Sequence, residues 1–431
     1  MKNSPYAERM KHVRPSAIRD LLKLGADPEI ISFGGGYPDA SLFPLDTLSS
    51  AFETAIRESG REALQYTVSN GIPRLRAQIA VRMGAEGVRC DADCVLILQG
   101  AQQGLDLVAK MLVDKDDLIV VEDPTFLGAL AAFNPYEPTY ATVPIDDQGI
   151  DMEALERTLR GHPEAKFIYT VPEFQNPTGV TLSLERRKTL IQLANKYDVL
   201  ILEDTPYREI RFEGNSLPSL KSLDTEDRVI YLGSFSKILA PGLRLGWAVA
   251  PRPVIEHMTL LKLAADTQCN TLNMTAVSLF LERADVERHI EDIRKTYLRK
   301  KNLMLDTIRR SFPQEIAFTD PSGGMFTWLT FPDGFDAGEF MQAFSLPRAK
   351  VAYVPGAPFF AGRQKVNNAR ISYSTQTDEQ IAKGSARLEF CSRNTCEAIE
   401  EGRQQSDGNK RFDGGANGPD RFFGARFGTL A

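Results

Sequence analysis

The sequence predicts an α/β fold, in which a mainly parallel sheet lies between helices and a smaller α+β domain follows. Short apolar runs of strand length alternate with segments of helical periodicity through the first half of the chain. These runs are Val95–Leu98, Leu118–Val121, Ala165–Pro172, Val199–Leu202 and Val229–Leu232. After Ala250 the pattern becomes helical, and strand-like segments return from about Phe318. A chain of 431 residues is long enough for two or three domains with large cores.

The composition is that of an ordinary soluble globular protein, with 42% hydrophobic and 25% charged residues. The net charge of −6 gives no electrostatic reason to expect a nucleic acid or an anionic membrane as partner. The apolar runs are far shorter than the ~20 residues that span a bilayer, and the first residues lack the apolar core of a signal peptide. We therefore expect a soluble, cytoplasmic protein.

The five cysteines are few and irregularly spaced for a chain of this length, which favours a reduced setting. Cys90 and Cys94 are close enough in sequence to bind a metal in principle, but no histidine lies near them. We therefore expect inert thiols and no metal site.

The N-terminal part is polar and interrupted by prolines up to a strand at Ile30–Phe33. Before that strand, Ser16–Lys23 has the spacing of a short amphipathic helix. The strand runs into three glycines, residues 34 to 36, which either let the backbone approach a ligand closely or form a tight turn alone. Helical spacing of apolar residues follows at 46 to 59 and at 72 to 86.

Two turns follow buried strands further along the chain. Gly100 opens a helix, and the free N–H groups of a helix start suit a phosphate, although a plain strand–helix turn has the same pattern. Asn176-Pro177-Thr178-Gly179 is a turn in any protein. Ser183 caps the next helix, and we expect Arg186 and Arg187 on its exposed side.

Asp204 ends the apolar strand Val199–Leu202, at the edge where doubly wound sheets place their ligands. A buried carboxylate is unfavourable unless it is paired, so an unpaired Asp204 would be hard to explain. The alternative is a helix-capping aspartate beside a core tyrosine, Tyr207.

The lysine loop, Gly233–Trp247, is the most informative stretch of the chain. Its single lysine, Lys237, lies among Ser234, Ser236, a Pro-Gly turn and Arg244. Hydroxyls and a guanidinium hold a phosphate, and a lysine amine forms a covalent bond with a carbonyl. Most lysines are solvated surface charges, but these companions argue against that interpretation.

The pattern S-x-S-K-x-x-x-P-G-x-R-x-G in this loop resembles the lysine region of class I and II aminotransferases of fold type I, which use pyridoxal 5′-phosphate (PLP). The resemblance covers about residues 15 to 390, with the motifs in the family's order. It is greatest to the branch that contains 2-aminoadipate and kynurenine aminotransferases. It implies a large domain with a mainly parallel, seven-stranded sheet between helices, and a smaller α+β domain.

The resemblance and the composition together predict four segments. Residues 1–45 form an N-terminal arm that covers the substrate, residues 46–285 the large PLP-binding domain, and residues 286–390 the small domain. From Cys391 the chain has many glycines, few aliphatic residues and no periodicity. We therefore expect residues 391–431 to form a disordered tail.

The resemblance also implies a set of cofactor contacts. Lys237 bonds to the cofactor carbonyl, and Asp204 keeps the ring nitrogen protonated. Phe126 stacks on the ring, where tyrosine is common in the family, and an ordinary core phenylalanine is the alternative. The other implied contacts are Asn176 and Tyr207 at the phenolic oxygen, and Ala101, Gln102, Ser234, Ser236 and Arg244 at the phosphate. Tyr66 is implied to reach the phosphate of the neighbouring subunit in a homodimer, whereas the sequence alone indicates an ordinary packed aromatic.

On the substrate side, Arg370 lies in Asn368–Ser374, which matches the family's R-[IL]-x-[FY] strand. The implied role is a bidentate clamp on the substrate carboxylate, which a lysine would not provide. A surface arginine on a strand is the alternative. Asn176 is implied to donate to the same carboxylate, and Arg19 and Gly36 match substrate-side positions.

The resemblance therefore implies an aminotransferase that moves an amino group from an L-amino acid to a 2-oxo acid, expected to be 2-oxoglutarate, by a ping-pong mechanism. Another PLP-dependent reaction, such as that of a β-lyase or a decarboxylase, uses the same cofactor contacts.

Two further alternatives come from other classes of protein. A transcription regulator that carries this domain needs a basic DNA-binding domain ahead of it, and the roughly 30 residues before the first motif leave no room for one. A nucleotide-binding Rossmann enzyme would explain the turn at Gly100 with Glu122 downstream, but it would not explain Lys237 with Arg244.

Overall fold

The computed structural model describes residues 5–11, 13, 27–362 and 365–389. The expected helix at Ser16–Lys23, with Arg19 in it, lies outside these ranges, and so does the tail at 391–431.

The described residues form fourteen strands and two separate larger sheets. The strands are β1 (Ile31–Ser32), β2 (Val95–Leu98), β3 (Leu118–Asp123), β4 (Thr139–Asp146), β5 (Gly149–Ile150), β6 (Phe167–Thr170), β7 (Leu200–Asp204), β8 (Val229–Ser234), β9 (Gly246–Val249), β10 (Ala317–Phe318), β11 (Phe326–Thr330), β12 (Val351–Ala352), β13 (Val354–Pro355) and β14 (Asn368–Ser372).

The α-helices of the described ranges surround these sheets. They are α1 (Leu45–Ala63), α2 (Pro73–Ala85), α3 (Ala101–Leu112), α4 (Leu127–Phe133), α5 (Met152–Gly161), α6 (Leu184–Tyr197), α7 (Leu220–Leu223), α8 (Arg252–Asp266), α9 (Thr271–Arg283), α10 (Val286–Ser311) and α11 (Ala337–Phe340). A π-helix at Met341–Ala349 continues α11, and residues 378–389 are helical.

The large sheet has the strand order β2-β9-β8-β7-β6-β3-β4-β5. Strands β8, β7, β6, β3 and β4 are parallel, β9 runs antiparallel to both of its neighbours, and β5 runs antiparallel to β4. The mainly parallel sheet between helices is therefore confirmed. The seven expected strands are present, and the two-residue strand β5 adds an eighth at the edge.

Helices cover both faces of this sheet, which explains why its strands read as continuous apolar runs. Alternate residues of each strand point to opposite faces. Val120, Ile168 and Ile201 pack with α5 and α6 on one face, while Ile119 and Leu202 belong to the larger core on the other face.

The smaller sheet is antiparallel, in the order β10-β11-β14-β13, and β1 pairs in parallel with β12. The long helix α10 runs between the two sheets in sequence. Its buried Lys301 donates to Glu213 at 2.7 Å and to Asp320 at 3.0 Å, and so connects residues on either side of it in the chain. The smaller α+β unit is therefore confirmed.

The carboxyl ends of the parallel strands meet at one edge of the large sheet, and Phe126, Asn176, Asp204 and Lys237 lie at or just after the ends of β3, β6, β7 and β8. Within the described ranges, no helix has both the length and the apolar character that crossing a membrane requires.

Candidate active site

Asp204, at the end of β7, is buried with one of its carboxylate oxygens unpartnered. Its side chain is 2% exposed, and Oδ2 accepts a hydrogen bond from the Tyr169 hydroxyl at 2.9 Å. Oδ1 is buried and has no hydrogen-bond partner among the described residues. Burial raises the pKa of Asp204 to about 7, although the hydrogen bond from Tyr169 acts to lower it. A buried orphan oxygen of this kind indicates that a donor from a bound group completes the site.

Lys237 lies in the loop after β8, with its amine directed at the glycine segment, residues 34 to 36. Nζ donates to the carbonyl oxygen of Gly36 at 2.7 Å. Burial, together with the positive charges of Arg370 and Arg244, lowers the pKa of Lys237 to about 8. The neutral amine, which is the nucleophilic form, is therefore accessible near neutral pH.

Arg370, Asn176 and Tyr207 form a buried chain of hydrogen bonds. Arg370 Nη1 donates to Asn176 Oδ1 at 2.8 Å, and Asn176 Nδ2 donates to the Tyr207 hydroxyl at 3.1 Å. Burial lowers the pKa of Arg370 to about 10 and raises the pKa of Tyr207 to about 12, so both groups remain protonated near neutral pH. The structure thus brings together three residues that are far apart in the sequence.

Arg370 also contacts the glycine segment and two aromatic rings. Nη2 donates to the carbonyl of Gly34 at 2.8 Å, and the guanidinium lies 4.3 Å from the Phe326 ring centre and 5.4 Å from that of Phe359. Nε is buried without a partner among the described residues. The surface-arginine alternative is therefore wrong, because Arg370 is 1% exposed.

The start of α3 and the side chain of Arg244 form an open, positively charged corner. Gly100 precedes the helix with a φ of 79° and, as a glycine, has no side chain with which to cap the first N–H groups, at Ala101 and Gln102. Arg244 Nη2 donates to the carbonyl of Gln99 at 2.9 Å. A helix start beside a guanidinium is a favourable seat for a phosphate.

The two serines of the lysine loop lie at the end of β8. The Ser234 hydroxyl accepts a hydrogen bond from the backbone N–H of Ser236 at 3.1 Å, which forms a compact turn before Lys237. Phe126 precedes α4 and is half-buried, and its ring lies over Gly128. Its stacking on the cofactor remains a prediction.

The remaining predicted residues are only partly placed. Gly36 lies beside Lys237 and close to Phe326, since a Cβ atom on Gly36 would come within 3.1 Å of that ring. Tyr66 is 80% exposed, so the expectation of an ordinary packed aromatic is wrong within this chain. Arg19 lies outside the described residues.

Sequence reasoning missed several buried polar residues that form hydrogen bonds between the loops of the site. Gln175 Nε2 donates to Glu122 at 2.9 Å and to the carbonyl of Pro124 at 2.8 Å, while its Oε1 accepts from the N–H of Thr178 at 3.0 Å. This side chain therefore ties the loop that carries Phe126 to the loop that carries Asn176. Its position next to the Asn-Pro-Thr-Gly turn was the only signal in the sequence.

Arg187 corrects one expectation, because it is fully buried rather than on the exposed side of α6. It pairs with the equally buried Glu173 at 2.8 Å and donates to the carbonyls of Leu182 and Pro172. Arg208, which follows Tyr207, pairs with the same carboxylate. These contacts hold the two loops of the Asn176–Tyr207 pair against each other.

The donor set fits pyridoxal phosphate. An orphan carboxylate oxygen at Asp204 suits a protonated ring nitrogen, and a lysine amine with a lowered pKa suits an aldehyde. The open corner at α3 and Arg244 suits a dianionic phosphate.

Comparison with known proteins gives the same picture. Residues 31–388 match the family model described as aminotransferase class I and II. The chain is 40% identical to the 2-aminoadipate transaminase of Thermus thermophilus, over 87% of this chain and 93% of that protein. It is 37% identical to aromatic-amino-acid aminotransferase 1 of Thermococcus litoralis, over 89% of this chain and 93% of that one.

Among solved structures, the chain is similar to the kynurenine aminotransferase of Pyrococcus horikoshii, which was determined in complex with PMP. The two superimpose with a TM-score of 0.87 at 37% identity, over 91% of this chain and 97% of that one.

Proposed function

The chain belongs to the class I and II aminotransferases, and from this premise we propose how its own residues carry out the reaction. It is a PLP-dependent transaminase, which transfers an amino group between an amino acid and a 2-oxo acid. The roles of individual residues, the choice of substrates and the assembly are the content of the proposal.

One observation carries the assignment of the substrate position. Lys237 Nζ and Arg370 Nη2 donate to the carbonyls of Gly36 and Gly34, which are two residues apart in one segment. Two residues of extended chain span roughly 7 Å. The reactive amine and the carboxylate-binding fork therefore face the same small volume, at a separation that suits an α-amino acid.

The cofactor, when bound, supplies an electron-poor ring that takes up negative charge from the substrate Cα. Lys237 would hold the cofactor through its carbonyl, and its Nζ would move the substrate's Cα proton. A base with a pKa near the working pH is the most effective for this task, and burial gives Lys237 a pKa of about 8.

The other predicted residues bind and orient. Asp204 would hold the ring nitrogen through its unpartnered Oδ1, Asn176 and Tyr207 would bind the phenolic oxygen, and Phe126 would cover the ring. The phosphate-binding set is Ala101, Gln102, Ser234, Ser236 and Arg244. Arg370, supported by Asn176, binds the substrate carboxylate, and the rings of Phe326 and Phe359 exclude water from this contact. Gly36 is assigned to the substrate side, and the sequence resemblance assigns Arg19, which is outside the described residues, to the same role.

The proposed amino donors are 2-aminoadipate and aromatic amino acids, and the proposed acceptor is 2-oxoglutarate. The relatives named above, which act on such amino acids, support this choice. The test is a screen of L-amino acids with 2-oxoglutarate, in which keto acid and glutamate should form in equal amounts. Release of ammonia would instead indicate a β-lyase, and release of carbon dioxide a decarboxylase.

The proposed assembly is a homodimer in which Tyr66 reaches the phosphate of the partner subunit. Leu64, Tyr66 and Val68 are 71%, 80% and 53% exposed, and such an apolar stretch supports an interface. Light scattering at twice the chain mass, with weaker PLP binding by Tyr66→Phe, is the expected result. A monomer that binds PLP as tightly as the dimer would contradict it.

We also propose that residues 46–285 and 286–390 act as the large and small domains, with residues 1–45 covering the substrate. The double ion pair of Lys301 supports a connection between the first two. Cys90, Cys94 and Cys269 are free thiols, which supports the proposed cytoplasmic location.

A further inference from the structure

Among the described residues, Tyr169 is the one that donates a hydrogen bond to the carboxylate of Asp204, and the mechanism above does not use it. Its hydroxyl lies 2.9 Å from Oδ2, and the other oxygen of the same carboxylate is the buried orphan. Tyr169 is on β6 and Asp204 ends the neighbouring strand β7, so both partners are fixed by the sheet.

The tyrosine ring is held rigidly. Tyr169 is 0% exposed, and the edge of the Phe133 ring meets it at 5.5 Å and 81°. Phe133 packs in the same way on Phe167, two residues earlier in the strand. The hydroxyl is therefore unable to swing away from Asp204 without disturbing three packed rings.

We propose that Tyr169 is a positioning residue for the cofactor's ring nitrogen. By donating to Oδ2, it leaves Oδ1 as the unoccupied acceptor for the ring N–H and fixes the plane of the carboxylate. This inference rests on the role proposed above for Asp204.

The pKa shifts of Asp204 and Tyr169 support the same role. A carboxylate buried in this way tends to take up a proton, and the Tyr169 hydrogen bond opposes that tendency by lowering the pKa of Asp204. Burial raises the pKa of Tyr169 well above its ordinary value, so its hydroxyl remains a donor at every working pH. Without this hydroxyl, Asp204 would be more often neutral, and the ring nitrogen would lose its ionic partner.

The test compares two ligands that differ at one atom. Full-length protein freed of cofactor is titrated with PLP and with 1-deazapyridoxal 5′-phosphate, in which a C–H group replaces the ring nitrogen. Tyr169→Phe keeps the ring and removes only the hydroxyl. Tyr353→Phe is the matched control, because Tyr353 is equally buried but donates to the backbone carbonyl of Ala337 at 2.6 Å.

We expect Tyr169→Phe to weaken PLP binding about tenfold, the effect of losing one charge-assisted hydrogen bond, and to change binding of the deaza analogue less than twofold. Tyr353→Phe should change neither. When the Tyr169→Phe variant is reconstituted with PLP labelled with ¹⁵N in the ring, the ring nitrogen should lose pyridinium character. Equal weakening of both ligands, or of neither, would overturn the inference.

Phe133→Leu provides an independent variant should Tyr169→Phe fold poorly. It keeps the hydroxyl but removes the edge contact, so we expect a two- to threefold loss for PLP alone, and an unselective loss would count against the proposal. A wild-type protein that binds both ligands equally would instead refute the role of Asp204 itself, which separates the two failures.

Discussion

Arg370 and Asn176 lie 194 positions apart in the chain and are joined by a hydrogen bond of 2.8 Å between Nη1 and Oδ1. The same asparagine donates to Tyr207 through its amide nitrogen. One amide group therefore couples the proposed carboxylate fork to the proposed cofactor contact, and the geometry of each depends on the other.

Arg370→Lys should lower kcat/KM about 100-fold. A lysine has no planar fork, so it is unable to donate to Asn176, to Gly34 and to a substrate carboxylate at once. Losing one charged bidentate contact corresponds to roughly 3 kcal/mol. The control is Arg309→Lys, which alters a half-exposed arginine paired with Asp306 and Asp320. Steady-state kinetics with the best amino donor is the measurement, and retention of more than a third of wild-type kcat/KM would contradict the role.

Lys237→Ala should abolish covalent attachment of the cofactor and reduce turnover by at least about 10³-fold, since both the nucleophile and the base are lost. Borohydride reduction followed by peptide mass spectrometry should find the pyridoxyl group on Lys237 in the wild type and nowhere in the variant. Lys115→Ala, at an exposed ion pair with Glu137, should behave as the wild type. A labelled peptide from another part of the chain would show the assignment to be wrong.

The rate at which cofactor-free protein bonds to PLP should rise with pH around a midpoint near 8. Burial lowers the pKa of Lys237 to about 8, and the neutral amine that reacts is the form present above this value. Stopped-flow absorbance between pH 6 and pH 10 measures the midpoint. A midpoint near the ordinary value for a lysine would mean that the amine is solvated and not held in this site.

Gly100→Ala should weaken PLP binding about 10- to 100-fold. At its φ of 79° and ψ of 164° a side chain is strained by roughly 1–3 kcal/mol, and the added Cβ would lie 2.8 Å from Arg244 Nη2. Gly84→Ala is the matched control, because this helical glycine has open space around it. We expect unchanged PLP binding there and about 0.5–1 kcal/mol of added stability. Equal PLP affinity in the two variants would argue against a phosphate seat at α3.

Arg187→Ala should lower the free energy of unfolding by about 3–5 kcal/mol, because it leaves the carboxylate of Glu173 buried with one partner fewer. The adjacent Arg186→Ala removes a partly exposed pair with Asp146 and should lower it by about 1 kcal/mol. Urea denaturation of the two variants gives the comparison. Similar losses for both would mean that the buried pair adds little to stability.

Most of the site residues that the sequence predicts lie in short contiguous motifs. Lys237, Ser234 and Arg244 share one loop, and Asp204 with Tyr207 follows one strand, so recognition needs no knowledge of the tertiary structure. The mainly parallel sheet was equally predictable from the sequence, because its buried strands are continuous apolar runs.

Tyr169 escaped notice because its partner is 35 positions away, and their contact depends on strand register. Tyr169 pairs with Leu202, which places Asp204 two residues further along the neighbouring strand on the same face. An apolar strand by itself does not reveal which of its residues faces an acid on the next strand.

The error at Arg187 has a different origin. Its spacing from Leu190, Ile191 and Ala194 places it on the apolar stripe of α6, which is consistent with its burial. A charged side chain usually indicates exposure, but this rule fails where a buried carboxylate and backbone carbonyls accept its hydrogen bonds, as Glu173 and Pro172 do here.

The hydrogen bond from Arg370 to the Gly34 carbonyl gives the site a built-in preference among ligands. An incoming group competes with a neutral backbone oxygen that already satisfies part of the guanidinium. A carboxylate wins that exchange because a charged acceptor binds about twice as strongly as a neutral one, whereas an amide offers no gain. From the role proposed for Arg370, we therefore expect the site to favour free amino acids over their amides and over residues within peptides.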